Sequence, residues 1–267
     1  MAELMRQDPG FKVNMELNEN GWTLLHHACY EDSRSAVIPL LLAHPAIDVN
    51  LLDIYGCSPF YYACVYGRAE EAGLPSCVRE MLKDSRVNVN EPNKGGRTPL
   101  RCAAGNGHLE IIRWWIASGR EVDLGTPGDV DKTDVIAGAK TVDDWQHEAQ
   151  SKKKRKVVTL LESFKENPED TRHAVRVELG LLDDLAAEVF ALVVFVSDGL
   201  LQTKDTTNAT PAARFFHIAA TLPLELQMML SYRVVRSAKE IIQGQDSEMA
   251  FKLLAESLLW SSIFTPS

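Results

Sequence analysis

Gly96-Arg97-Thr98-Pro99-Leu100-Arg101-Cys102-Ala103, followed by Gly107-His108-Leu109-Glu110-Ile111-Ile112, is the stretch that decides the fold. Its parts fit one local structure. A glycine suits a tight turn with positive φ. The Thr98 hydroxyl can accept from the orphan N–H groups of a helix start. Pro99 falls at the first helical position, where a missing N–H costs nothing. Ala103 is small enough for a neighbouring helix to approach closely. Ile111, Ile112 and Trp115 then form the apolar stripe of a second helix.

The pattern occurs twice more upstream. One copy reads Val13-Asn14, Gly21, then Thr23-Leu24-Leu25-His26-His27-Ala28. The other reads Val49-Asn50, Asp53, Gly56, then Ser58-Pro59-Phe60-Tyr61-Tyr62-Ala63. With Val89-Asn90 before Gly96, the three glycines are spaced by 35 and 40 residues. Second-helix stripes are expected at Val37, Leu40 and Leu41, and at Val78, Met81 and Leu82. One such helix pair cannot bury its apolar face alone, but stacked neighbours can.

Gly96–Leu100, Gly107–Ile112 and Gly21-Trp22-Thr23-Leu24-Leu25-His26-His27-Ala28-Cys29 resemble the ankyrin-repeat consensus over residues 11–124. A degraded fourth copy follows. Val122-Asp123-Leu124 stands at the Val-Asn position, Thr133–Ala139 reads as a first helix and Val157–Phe164 as a second. The polar insertion Lys140–Ser151 separates them. Terminal repeats are expected to be atypical. The resemblance implies an all-α fold: an ankyrin solenoid of three clear repeats and a capping repeat over 11–166, then a C-terminal helical bundle over 171–267.

In that C-terminal part, Asn167-Pro168-Glu169-Asp170 breaks the array. Residues 181–201 are apolar almost all round apart from Asp183, Asp184, Glu188 and Asp198, which reads as a buried helix. A polar linker is expected over 202–210. Helix starts follow at Thr210-Pro211, at Leu222-Pro223-Leu224-Glu225-Leu226 and at Asp246-Ser247. The last of these carries Met249, Ala250, Leu253, Leu254 and Leu258 at helical spacing. Residues Ala212–Lys252 are similar to a tail found on ankyrin-repeat proteins of fungi and amoebae. Leu222–Leu230 also resembles the opening of an F-box, which would imply a ubiquitin-ligase substrate receptor, although Arg233 stands where that motif prefers an apolar residue.

Composition narrows the function. The 267 residues are 45% hydrophobic and 24% charged, as in ordinary folded domains. Lys plus Arg is 28 against 37 Asp plus Glu, a net charge of -9. Residues 1–170 carry 20 basic and 26 acidic side chains, and residues 171–267 carry 8 and 11, so neither part is a basic module. Nucleic acid is therefore not the expected partner. Five cysteines, with no CxxC pair, read as free thiols in a reducing compartment. With no apolar leader and no long apolar run, the expectation is an intracellular protein, cytoplasmic or nuclear, without membrane association.

No catalytic, metal or cofactor set is read. His26, His27 and Cys29 cluster, but metal binding needs three or four converging ligands. His26 occupies the consensus histidine that, by resemblance, ties loops together. Asp143-Asp144 and Asp183-Asp184 are adjacent, and helix neighbours do not face each other. Lys152-Lys153-Lys154-Arg155-Lys156 resembles a monopartite nuclear import signal, which is read in extended form; as an ordinary charge run it would be a solvated helix start. Asn50 and Asn90, each with a leucine eight residues earlier, resemble substrates of an asparaginyl hydroxylase, or else stabilise turns. The expected function is binding of another protein, by a monomer, on the face that the resemblance makes concave: hairpin tips and first helices. Aromatic and arginine side chains favour interface hot spots, so the expected contacts are Trp22, His27, Tyr30, Tyr55, Tyr62, Tyr66, Lys94 and Arg101.

Overall fold

The computed structural model of the chain describes residues 12–31, 36–66, 76–129, 132–141, 148–201, 211–237, 242 and 246–255. The linker 202–210, Leu258 and residues 142–147 of the polar insertion lie outside them. Among the described residues the fold is all-helical, with no strand. The chain divides into two compact units, 1–175 and 176–267.

The first unit is built from pairs of short helices. The helices are α1 (Leu24–Tyr30), α2 (Ile38–Leu42), α3 (Pro59–Tyr66), α4 (Ser76–Lys83), α5 (Pro99–Gly105), α6 (Leu109–Ser118), α7 (Val135–Lys140) and α8 (Glu148–Glu166). The starts of the first helices follow from their caps. Thr23 and His26 form a reciprocal capping box at α1. Ser58 Oγ accepts from Tyr61 N at 3.1 Å, and Thr98 Oγ1 from Arg101 N at 3.3 Å. Pro59 and Pro99 open α3 and α5. The turn glycines Gly21, Gly56 and Gly96 have φ of 76°, 72° and 77°. At Gly56 a Cβ would also lie 2.9 Å from the backbone N of Lys94 in the next repeat.

Side chains lock each turn to the next. Asn14 Nδ2 donates to Ala46 O, and its Oδ1 accepts from Asp48 N. Asn50 does the same one repeat on, donating to Arg86 O at 2.8 Å and accepting from Asn88 N at 2.8 Å. The Asn50 amide is thereby committed to an inter-repeat lock. The hairpin tips also pair, Ile54 N with Asn20 O and Lys94 N with Tyr55 O, both at 3.0 Å. Behind the first helices lies the core: Val78, Met81, Ile111, Ile112, Trp115, Val157 and Leu161 are fully buried.

Three details depart from the sequence pattern. In the first repeat Ile38 and Leu41 face the core, while Leu40 is exposed and Val37 is only half-buried, because α2 is a single short turn-and-a-half in a shifted phase. The fourth repeat's first helix is capped by Asp134, which accepts from Ala137 N, one residue after Thr133. The break at Asn167 is one residue wide: α9 (Pro168–Glu178) follows α8 directly, with Pro168 at its first position.

The second unit holds α10 (Leu182–Ser197), α11 (Pro211–Ala219), α12 (Leu224–Val234) and α13 (246–255). Its core joins Ala186, Ala187, Phe190 and Ala191 of α10 to Tyr232, Ile242 and Ala250. Phe251 packs edge-on to Phe190 and stacked on Phe195. Met249 and Leu253, expected on the apolar face of the last helix, are exposed. So are Leu224 and Leu226 of the F-box-like segment.

Candidate protein-docking face

The same turn recurs in the three repeats, closed by a short side-chain amide or carboxylate. Asn18 Oδ1 accepts from Asn20 N and Trp22 N, and Asn93 Oδ1 from Gly95 N and Arg97 N. In the second repeat the residue is Asp53, and its carboxylate does more. Oδ1 accepts from Tyr55 N (2.9 Å) and Cys57 N (2.8 Å). Oδ2 accepts from the Trp22 indole Nε1 (3.1 Å) and the Tyr62 hydroxyl (2.6 Å). Asp53 is buried, so four donors replace the water it gave up.

Above this carboxylate the rings of two consecutive repeats gather. Trp22 lies 4.7 Å from Tyr62, 5.0 Å from His27 and 5.1 Å from Tyr30 between centroids. Tyr30 meets Tyr66 at 4.8 Å, and Tyr66 stacks beside Tyr62 at 6.0 Å. The spacing explains the gathering: His27 and Tyr30 on α1, and Tyr62 and Tyr66 on α3, are each three or four residues apart and share a helix face. Tyr30 is 40% and Tyr66 47% exposed, whereas Tyr62 is 7% exposed and serves as a support beneath them.

The other expected contacts stand apart from the cluster. Tyr55 is exposed at the hairpin tip. Lys94 bends back so that its Nζ donates to Ile54 O at 2.6 Å. The Arg101 guanidinium packs over the α7 backbone, so close that a Cβ on Gly138 would meet its Cζ at 2.8 Å. Asp53 as the common acceptor is what pattern reading missed. Its partners are 31 and 9 residues away in sequence, and only the asparagines at the matching turn positions hinted at its role.

His26 is fully buried and ties two repeats. Its Nδ1 accepts from Thr23 N at 3.1 Å, which leaves Nε2 to donate to Cys57 O at 3.2 Å. That arrangement holds the neutral ring. Burial lowers its pKa below 6.5, against the raising effect of the Cys57 carbonyl and Asp53. Burial also pushes the Cys57 thiol up to about 11, with Asp53 adding to it. For His26 the unfolded chain binds the proton more readily than the folded one. Stability is thus full above pH 6.5 and falls as pH drops from there to the lower folded value. Urea midpoints measured across that window are expected to decrease with acid, and His26→Gln, though less stable overall, is expected to flatten the slope.

The run Lys152–Lys156 lies wholly within helix α8. Lys154 is 5% exposed, and its Nζ donates to Thr141 O at 3.0 Å. Lys152, Arg155 and Lys156 are exposed on the other side. An extended reading of the run therefore requires the first turns of α8 to unwind. Among the described residues no group of three or more His, Cys, Asp or Glu can hold a metal, and no helix is long and apolar enough to cross a membrane.

Comparison with known proteins matches this first unit. Family models described as "Ankyrin repeats (3 copies)" and "Ankyrin repeats (many copies)" fit residues 2–73 and 68–114. SMC5-SMC6 complex localization factor protein 1 of Bos taurus is 36% identical over 114 residues, 42% of this chain and 10% of that protein. The human protein of the same name matches equally over the same length. Transient receptor potential cation channel subfamily A member 1 of Homo sapiens is 30% identical over 119 residues, 44% of this chain and 10% of the channel. The chain thus spans about a tenth of the length of these relatives. Stacked helix pairs, cross-repeat turn locks and these matches agree: the N-terminal part of the chain is made of ankyrin repeats.

Proposed function

We propose that the chain is an adaptor that holds another protein against the aromatic face of its first two repeats. Ankyrin repeats are protein-binding modules, and one observation carries the placement: Trp22, His27, Tyr30, Tyr62 and Tyr66 form a single ring cluster whose outer members, Tyr30 and Tyr66, are exposed. Rigid aromatic side chains on a pre-ordered support lose little entropy on binding. Similarity to a localization factor agrees with a chain that positions a partner rather than transforms it.

Tyr62 is buried and Arg101 packs over the α7 backbone, which makes both poor test positions, since changing either disturbs the array itself. Tyr30→Ala with Tyr66→Ala leaves those supports in place. Affinity capture from native extract, followed by mass spectrometry, is expected to show the partner lost by this pair. Truncating an anchor of this kind costs about 2 kcal/mol, roughly thirtyfold in affinity. Unchanged capture, with an unchanged circular dichroism spectrum, would remove the aromatic face from the reading.

A further inference from the structure

We infer that the partner engages this face through a basic segment, with an arginine guanidinium stacked on the exposed rings of Tyr30 and Tyr66. The inference rests on the docking reading above and names the chemistry of its partner. Three observations meet here. First, Tyr30 and Tyr66 form an exposed corner, their ring planes 64° apart with centroids 4.8 Å apart. Ring faces attract cations, and a planar, weakly hydrated guanidinium stacks on them better than an ammonium does.

Second, the support under that corner is anionic. The Asp53 carboxylate accepts from both the Trp22 indole and the Tyr62 hydroxyl. A negative acceptor on these two groups pushes electron density into their rings, which border Tyr30 and Tyr66. Because Asp53 is buried, its field reaches the face with little screening by water.

Third, the surrounding charge is one-sided. Residues 13–66 contain six acidic side chains (Glu16, Glu19, Glu31, Asp32, Asp48, Asp53) and one basic, Arg34. The Glu16 carboxyl lies beside Gly21, next in sequence to Trp22. The third repeat is the reverse, with Lys94, Arg97 and Arg101 near its turn and first helix. A basic segment is attracted over the first two repeats and repelled from the third, which fixes where it lies; an acidic segment would be repelled from the rings.

The full-length chain tests this with two probes of nearly equal shape, N-acetyl-arginine amide and its uncharged citrulline counterpart. Their titration is followed on the ring resonances of Tyr30 and Tyr66, assigned through Tyr30→Phe and Tyr66→Phe. Arginine is expected to shift both rings and citrulline neither; equal shifts overturn the inference. A phage library of random peptides, selected on the same chain, separates the two levels of the argument. The expected peptides carry an arginine whose replacement by citrulline weakens binding about tenfold. They keep their affinity for the Tyr30→Phe, Tyr66→Phe chain and lose it for the alanine pair. Peptides that lack basic residues yet need both rings would leave the docking face standing and overturn the cationic partner. No enrichment, or peptides indifferent to the alanine pair, would overturn the docking face itself.

Discussion

Asp53→Ala is expected to destabilise the N-terminal unit by about 3–5 kcal/mol, the range for removing one partner of a buried charged network. Four donors lose their acceptor at once: two backbone N–H groups, the Tyr62 hydroxyl and the Trp22 indole. Each unsatisfied buried donor costs on the order of 1–3 kcal/mol, less wherever water can reach it. Asp53→Asn separates the parts. Its Oδ1 can still close the turn, as Asn18 and Asn93 do in the neighbouring repeats. Its Nδ2 would then face the Tyr62 hydroxyl, which can turn and accept, as the Tyr61 hydroxyl accepts from Asn93 Nδ2 at 3.0 Å. The Trp22 indole can only donate and is left without its partner. About 1–2 kcal/mol is expected for this change. Urea unfolding followed by circular dichroism gives both values. Equal losses for alanine and asparagine would mean that charge, not the turn, is what the site requires.

Trp115→Ala is expected to cost a further, independent 3–5 kcal/mol, about the usual value for deleting a buried indole. Trp115 has no exposed surface and meets the Phe60 ring edge-on at 5.1 Å, so it joins the second repeat to the third. Its Nε1 donates to Glu121 O at 2.9 Å, which fixes the turn after α6. Trp115→Phe keeps most of the packing and loses this bond, so roughly 1–2 kcal/mol is expected. The adjacent Trp114 is the internal control. It is half-buried under the Arg79 guanidinium at 5.6 Å, and Trp114→Ala is expected to cost about 1 kcal/mol or less. Thermal or urea unfolding of the three variants in parallel checks the ordering. Similar losses at 114 and 115 would show that the core does not run through Trp115.

Local chemistry made the repeat legible. Thr23, Ser58 and Thr98 cap, Pro59 and Pro99 open helices, and the turn glycines take positive φ, because each acts on atoms within three or four residues of itself. The second-helix stripes were legible where the helix is long enough to set a phase, as in Ile111, Ile112 and Trp115 of α6. They were not in α2, whose five residues barely define a face. The ring residues could be named from composition, but not their division of labour. That Tyr62 lies beneath and Tyr66 above depends on where Asp53 comes to rest, and that depends on stacking between repeats. In the second unit, helix starts were readable and packing was not: Ala250 is buried while Met249 and Leu253 are exposed.

The use of one turn in two chemical versions, asparagine twice and aspartate once, bears on redesign. Asn18 performs a task that any consensus repeat could perform, so the first turn is an exchangeable part; Asn93 does the same and also donates from its Nδ2 to the Tyr61 hydroxyl of the repeat before it. The second turn is not exchangeable. Its carboxylate belongs jointly to two repeats through Trp22, and a consensus unit inserted between residues 22 and 53 would give a correctly folded array with a dismantled aromatic surface. Lengthening this solenoid by repeat insertion is therefore a C-terminal operation, after the third repeat, where it leaves intact both the Trp22–Asp53 bond and the bonds from Asn93 to Tyr61 and from Lys94 to Ile54.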